Sequence, residues 1–246
     1  MAHSASAKER ISEMVFVFVH GGAHGAWCWE RVIAHLSSRA VALDLPGRGS
    51  RPAPLEETTL DDWVDAVVEE IAALAPEPVV LVGHSLAGIV LPRVAERAAN
   101  RIAQMIFVSC SVPPEGQTVI DILSPGIRPL AEENLRNRQA SVLPDEVARA
   151  MFCNDMDEEQ TRFVLDRLVP EAWAPMLTPS RLAGLSLGIP LTYVKLLRDT
   201  AVPPALQDEI ASHMGRVRRV ELDAGHDAMI SQPKALAALL EKLAYP

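Results

Sequence analysis

Val79-Val80-Leu81-Val82-Gly83-His84-Ser85-Leu86-Ala87-Gly88 reads as a buried strand that stops at a serine and restarts at once as a helix. The helical part continues through Ile89-Val90-Leu91-Pro92-Arg93-Val94-Ala95-Glu96-Arg97. Such a junction forces a tight turn. Gly83 leaves room for the backbone, and the small residues Ala87 and Gly88 let the helix lie close to the strand. The serine hydroxyl then stands at a helix N-terminus, where free N–H groups favour a developing anion. The pattern is that of a nucleophile elbow, G-x-S-x-G, with Ala87 at the fifth position and the glycine one residue later. Pro92 is expected to kink the helix by removing one backbone bond.

Outward from this stretch the chain alternates. Met14–Val19, Val41–Leu45 and Ile102–Val108 are short apolar runs of the kind buried on both faces of a parallel sheet. Pro190–Leu197 and Arg216–Leu222 complete a set of six strands. Between them lie helical patterns at Trp27–Ser38, Leu60–Leu74, near Pro203-Pro204, and at Pro233–Leu243. Thr59 is the expected N-cap of the second, with Asp61 and Asp62 in its first turn. From 113 to 186 the texture changes to amphipathic helices separated by prolines and glycines, too long for a plain loop. The expected fold is α/β: six mainly parallel strands with helices on both faces and a helical insertion after the fourth strand. Residues 1–13 read as a loose tail, 14–112 and 187–246 as the core, and 113–186 as the insertion.

Composition narrows the partners. The 246 residues carry 32 acids against 23 bases, a net charge of −9, without a basic block. Nucleic acid and anionic membrane surfaces are therefore not expected partners. Three scattered cysteines, Cys28, Cys110 and Cys153, give neither a disulfide framework nor zinc spacing. The histidines form no H-x-x-x-H or H-E-x-x-H pair, so no metal is expected. There is no apolar leader and no run of eighteen apolar residues, which predicts a soluble, cytoplasmic protein. A homodimer is compatible with the sequence.

Three chemistry-bearing residues each follow a strand: Ser85, Asp199 and His226, in that order. A serine hydroxyl needs a base to take its proton as it attacks. Histidine has a suitable pKa, and a carboxylate on its other nitrogen fixes the tautomer. Asp208, Asp223 and Asp227 compete with Asp199, but the first falls within a helix and the others adjoin His226 itself. After Ile102–Val108, an alternative site for the acid in this architecture, stand Ser109, Cys110 and Ser111, with no carboxylate. The oxyanion would be met by backbone N–H groups of Leu86 and of Gly22, from the loop His20-Gly21-Gly22-Ala23-His24-Gly25. His20 reads as a structural loop residue, and His24 as bordering the pocket. Met151, Phe152, Trp173, Met176 and Leu177 in the insertion are expected to line it, although apolar residues there equally serve as packing.

With these residues in view, the chain resembles the α/β-hydrolase superfamily over its full length. The branch is that of plant salicylate-type methyl esterases, hydroxynitrile lyases and small bacterial esterases. Val19–Trp29, Leu43–Gly49, Gly83–Gly88, Arg198–Pro203 and Ala224–Met229 carry the resemblance. It implies Ser85 as nucleophile, His226 as base, Asp199 as acid, Gly22 and Leu86 as oxyanion donors, no cofactor, and a helical cap over the pocket. The lyases of this branch place a lysine directly after the catalytic histidine and a threonine in the oxyanion loop. Here Asp227 and Gly21-Gly22 stand instead, so cyanohydrin cleavage is not expected. An aspartate nucleophile, as in dehalogenases and epoxide hydrolases, is excluded by Ser85. The sequence thus predicts a serine hydrolase acting on a small or medium apolar or aromatic carboxylic ester. A thioesterase or lactonase with the same triad, or a ligand-binding receptor with little turnover, are the alternatives.

Overall fold

A computed structural model of the chain describes residues 14–123, 128–129, 132–133, 140 and 143–245. The expected tail at 1–13 lies outside the described residues. The strands are β1 (Val15–Val19), β2 (Ala40–Leu43), β3 (Val79–His84), β4 (Ile102–Val108), β5 (Leu191–Leu196) and β6 (Arg218–Leu222). They form one sheet in the order β2-β1-β3-β4-β5-β6, and every pairing is parallel.

Period-two alternation divides the apolar residues of the central strands between two cores. Val15, Val17, Val19, Leu81, Met105 and Phe107 face one helical layer. Phe16, Phe18, Val80, Val82, Ile106 and Val108 face the other. Because both faces are covered, the central strands read as unbroken apolar runs. The edges differ from that expectation. Every residue of β6 is exposed or half-buried, and three of the four β2 residues are half-buried, since an edge strand is flanked on one side only.

The first layer holds α2 (Leu60–Ala73), α3 (Leu91–Ala98) and α8 (Pro204–His213), and the second holds α1 (Glu30–Ile33), α9 (Ala228–Ser231) and α10 (Pro233–Ala244). Thr59 caps α2 reciprocally: Asp62 N–H donates to Thr59 Oγ1 at 3.2 Å, and Thr59 N–H donates to Asp62 Oδ2 at 2.8 Å. Such a cap contributes about 1 kcal/mol. The helix expected over Trp27–Ser38 is shorter: a 3-10 turn at Ala26–Trp29 leads into α1, which ends by Ala34. Pro92 does not kink a running helix. A 3-10 turn spans Ser85–Ile89 and α3 begins at Leu91, so the proline lies in the first turn, where its N–H is not needed.

Between β4 and β5 the described residues include α4 (Val119–Ile122), α5 (Asp145–Phe152), α6 (Glu158–Leu165) and α7 (Trp173–Leu177). The site follows from the register. Val19 pairs with Gly83, His84 with Val108, Val108 with Val194, and Leu196 with Leu222. The carboxyl ends of these strands are therefore level. The loops that follow them bring Gly21, Ser85, Ser109, Asp199 and His226 to one edge of the sheet, where ligands bind in open α/β folds.

Candidate active site

Ser85 follows β3 directly and has φ 51°, a left-handed conformation unusual for a residue with a side chain. The turn is compressed on three sides. A β-carbon on Gly21 would stand 2.8 Å from Ser85 Cβ, one on Gly83 would stand 2.7 Å from Leu91 Cδ1, and one on Gly88 would fall 2.3 Å from the Ser111 carbonyl oxygen. Ser111 N–H closes the turn by donating to the Ser85 carbonyl at 2.8 Å.

The serine meets its two sequence-predicted companions. His226 Nε2 lies 3.0 Å from Ser85 Oγ, and His226 Nδ1 lies 2.7 Å from Asp199 Oδ2. His226 and Asp199 are buried, while Ser85 is partly accessible. The other oxygen of Asp199 accepts from the N–H groups of Ala201 and Val202, both at 2.8 Å. Burial disfavours an imidazolium at His226. The Asp199 charge and hydrogen bond, with the Asp227 charge, outweigh it and raise the pKa above the ordinary histidine value.

Ser109 was visible in the sequence only as a position without a carboxylate. In the structure its hydroxyl donates to Asp199 Oδ2 at 2.6 Å, and its backbone is left-handed, φ 42°. The end of β4 thus faces the Asp199 carboxylate without supplying one itself. Among the acids that competed with Asp199, Asp208 pairs with Lys195 at 2.7 Å and Asp223 with Arg198 at 2.9 Å.

The loop after β1 is braced by buried polar groups. Leu45 N–H donates to His20 Nε2 at 3.1 Å, which leaves the proton on Nδ1 to donate to the Gly21 carbonyl at 2.8 Å. Burial pushes the His20 pKa down to about 3, so this ring is a neutral brace. His84 Nε2 donates to the His226 carbonyl at 3.0 Å, and burial likewise holds its pKa well below the usual value. His24 does not line the cavity. It is buried, with Nδ1 2.7 Å from the Gly22 carbonyl and Nε2 2.9 Å from Asp227 Oδ2.

A cavity of about 130 Å³ opens above Ser85 and His226, lined mostly by apolar side chains. Met151, Phe152 and Met176 line it, joined by Leu206, and Gly22 and Leu86 form part of its wall. Trp173 and Leu177 are not among its lining residues. Helix α7 spans five residues and turns Met176 towards the cavity, which leaves Leu177 outward and 40% exposed. The three cysteines are buried and free, and burial raises all three thiols, that of Cys153 to about 11. The side chains of His84, His226 and Asp227 each bring a ligating atom within 4.8 Å of the others, a grouping that no local spacing discloses. His226 is already engaged by Ser85 and Asp199.

The inserted segment also reaches the site loops with polar side chains that sequence spacing did not reveal. Asp155 Oδ2 accepts from Gly225 N–H at 2.7 Å and from Ser231 Oγ at 2.9 Å, while Asn154 Nδ2 donates to the Arg198 carbonyl at 2.7 Å. Glu171 accepts the Ala23 N–H at 2.7 Å and pairs with Arg48.

The chain and its fold have known relatives. Residues 16–239 match the family model described as "Alpha/beta hydrolase family". "Probable esterase PIR7A" of Oryza sativa subsp. indica is 33% identical over 225 residues, covering 87% of this chain and 79% of the relative. The "Carbendazim hydrolyzing esterase" of Nocardioides sp. is 29% identical over 243 residues, covering 93% and 98%. A solved structure, an extracellular alpha/beta-hydrolase from a Paenibacillus species with homology to tobacco salicylic acid binding protein 2, superimposes with a TM-score of 0.85. It is 25% identical and covers 93% of this chain and 98% of that one. The chain belongs to the alpha/beta hydrolase family and is an enzyme of the esterase type. Among its described residues no helix is long and apolar enough to cross a membrane.

Proposed function

We propose that this enzyme hydrolyses small, neutral carboxylic esters with an apolar or aromatic acyl group, through an acyl-enzyme on Ser85. The observation that carries the reading is the continuous chain Ser85–His226–Asp199, with contacts of 3.0 and 2.7 Å, at the floor of an apolar cavity. Ser85 Oγ attacks the ester carbonyl carbon as its proton passes to His226 Nε2. Asp199 holds the Nδ1 proton and stabilises the imidazolium. The carbonyl oxygen, now an anion, is held by the N–H groups of Gly22 and Leu86. The C–O bond to the alcohol breaks as His226 returns the proton to the leaving oxygen. Water then repeats the sequence on the acyl-enzyme, giving the acid and free Ser85.

The cavity supports the substrate size. Its volume of about 130 Å³ is close to that of an engineered protein cavity of about 150 Å³ that binds benzene. Among the described residues no lysine or arginine lines it, so a carboxylate on the substrate finds no charged partner. The helices between β4 and β5 act in this reading as a cap that selects the acyl group.

A panel of p-nitrophenyl and aromatic methyl esters of graded acyl length, with one thioester and one lactone, tests the reading alongside Ser85→Ala. Hydrolysis that peaks at short or benzoyl groups and vanishes in the variant supports it. Tight binding of such esters without acylation by a fluorophosphonate would replace it with a ligand-binding role.

A further inference from the structure

Ala23 is the one residue of the oxyanion-side loop with a left-handed backbone and a side chain, φ 59°. Both of its backbone polar groups are held by the inserted segment. Its carbonyl accepts from Val169 N–H at 3.0 Å, and its N–H donates to Glu171 Oε2 at 2.7 Å. Glu171 lies 148 residues away in sequence and only 6% of it is exposed. Its other oxygen accepts from Ala172 N–H at 2.8 Å and from the Arg48 guanidinium, itself 2% exposed.

The carboxylate is close to the reacting centre. Glu171 lines the cavity together with Gly22, Ser85 and His226. A β-carbon placed on Gly22 would stand 3.1 Å from Glu171 Oε2. A charged acceptor holds an N–H more firmly than a neutral one, which suits a strained loop. A bare carboxylate at this distance would also oppose an oxyanion forming at the Gly22 N–H, in surroundings where water screens little. Buried ion pairs are weak contributors to stability, so stability alone gives little reason to bury this one.

We infer that Glu171 is a positioning residue that fixes the oxyanion-binding loop through Ala23, and that Arg48 cancels its charge so that the oxyanion can form beside it. This rests on the serine-hydrolase reading above.

The test uses the full chain with Arg48→Met, Arg48→Lys, Glu171→Gln and the double variant Arg48→Met/Glu171→Gln. For each, kcat and KM on a p-nitrophenyl ester, the fluorophosphonate labelling rate, affinity for a trifluoromethyl ketone and Tm are measured. The ketone's adduct carries the oxyanion and so reports it directly. Arg48→Met is expected to lose about a hundredfold in kcat and in ketone affinity, with KM within about threefold. The double variant, neutral again, regains at least about tenfold of that loss, and Arg48→Lys stays within about tenfold of the wild type. A double variant no faster than Arg48→Met overturns the inference, as do kcat losses that merely follow Tm. Where Arg48→Met does not fold, Glu171→Gln and Glu171→Ala decide. The glutamine keeps an acceptor for Ala23 and is expected to hold kcat, whereas the alanine loses it; equal losses overturn the inference. A wild type that does not react with the fluorophosphonate overturns the serine-hydrolase reading, and this inference with it. A reacting wild type with the wrong variant pattern overturns this inference alone.

Discussion

The sheet edge and the inserted segment meet over the same cavity, but they hold their residues in place by different physics. On the sheet edge, Ser85, Asp199 and His226 stand within four residues of a strand end, and level strands bring them together. Their placement is a backbone matter, enforced by close approaches at Gly21, Gly83 and Gly88. In the inserted segment, Asp155 and Glu171 reach the site through single side chains that bond to backbone N–H groups 70 and 148 residues away. On the proposed mechanism the fold supplies the reacting groups, while the insertion supplies fixed acceptors that hold the loops bearing them. The two sets should therefore fail differently. Edge variants lose chemistry with stability kept, whereas removing the Asp155 acceptor costs stability more than chemistry.

Ser85→Ala should give the largest effect. Ester hydrolysis falls to background, on the order of a millionfold, with Tm nearly unchanged. Asp199→Asn should cost about ten thousandfold in kcat, since the amide no longer fixes the His226 tautomer. Removing one hydrogen bond to the same carboxylate by Ser109→Ala should cost about tenfold to a hundredfold. Steady-state kinetics with circular-dichroism melts check all three, and a Tm drop parallel to the kinetic loss would break the distinction between edge and insertion. Asp155→Ala leaves the Gly225 N–H without its acceptor and should destabilise by about 1–3 kcal/mol in urea titrations, with a smaller loss of kcat.

The pH profile probes the sheet edge directly. In the proposed mechanism His226 must be neutral to act as the base, and its pKa is raised above the ordinary 6.5. Activity is therefore lost as pH falls through that raised value, so the acid limb of kcat/KM should centre above pH 6.5. Asp227→Asn removes one of the charges that raise it and should move the limb to lower pH; an unmoved limb would count against that charge. Leu177→Ser, on the exposed side of α7, should change stability by less than about 0.5 kcal/mol.

These contrasts also explain what the sequence discloses. The Ser85 turn is legible because its cause is local: a small residue is demanded wherever a β-carbon would strike a neighbour, as at Gly83 and Gly88. Thr59 and its partner Asp62 are three residues apart, and the α2 start is legible for the same reason. The order Ser85, Asp199, His226 becomes legible once the strands are counted. Glu171, Asp155 and the buried His24–Asp227 contact involve partners 70 to 203 residues apart. No spacing rule reaches that far. Ser109 is the intermediate case: its place after β4 stood out as an alternative position for a carboxylate, but its hydrogen bond to Asp199, 90 residues away, did not. The expected pocket residues divide by helix face: Met176 turns inward, while the next residue, Leu177, is exposed.

The separation of Ser85 from His226 by 141 residues also bears on how the protein is made. A ribosome adding roughly 5–20 residues per second needs about 7–28 s to pass from the serine to the histidine. Until then the growing chain carries Ser85 without the imidazole that contacts it, although Asp199, 27 residues ahead of His226, is already made. All six strands, the last ending at Leu222, are thus synthesised before the Ser85–His226 contact can form, which makes that contact the last part of the site to be completed.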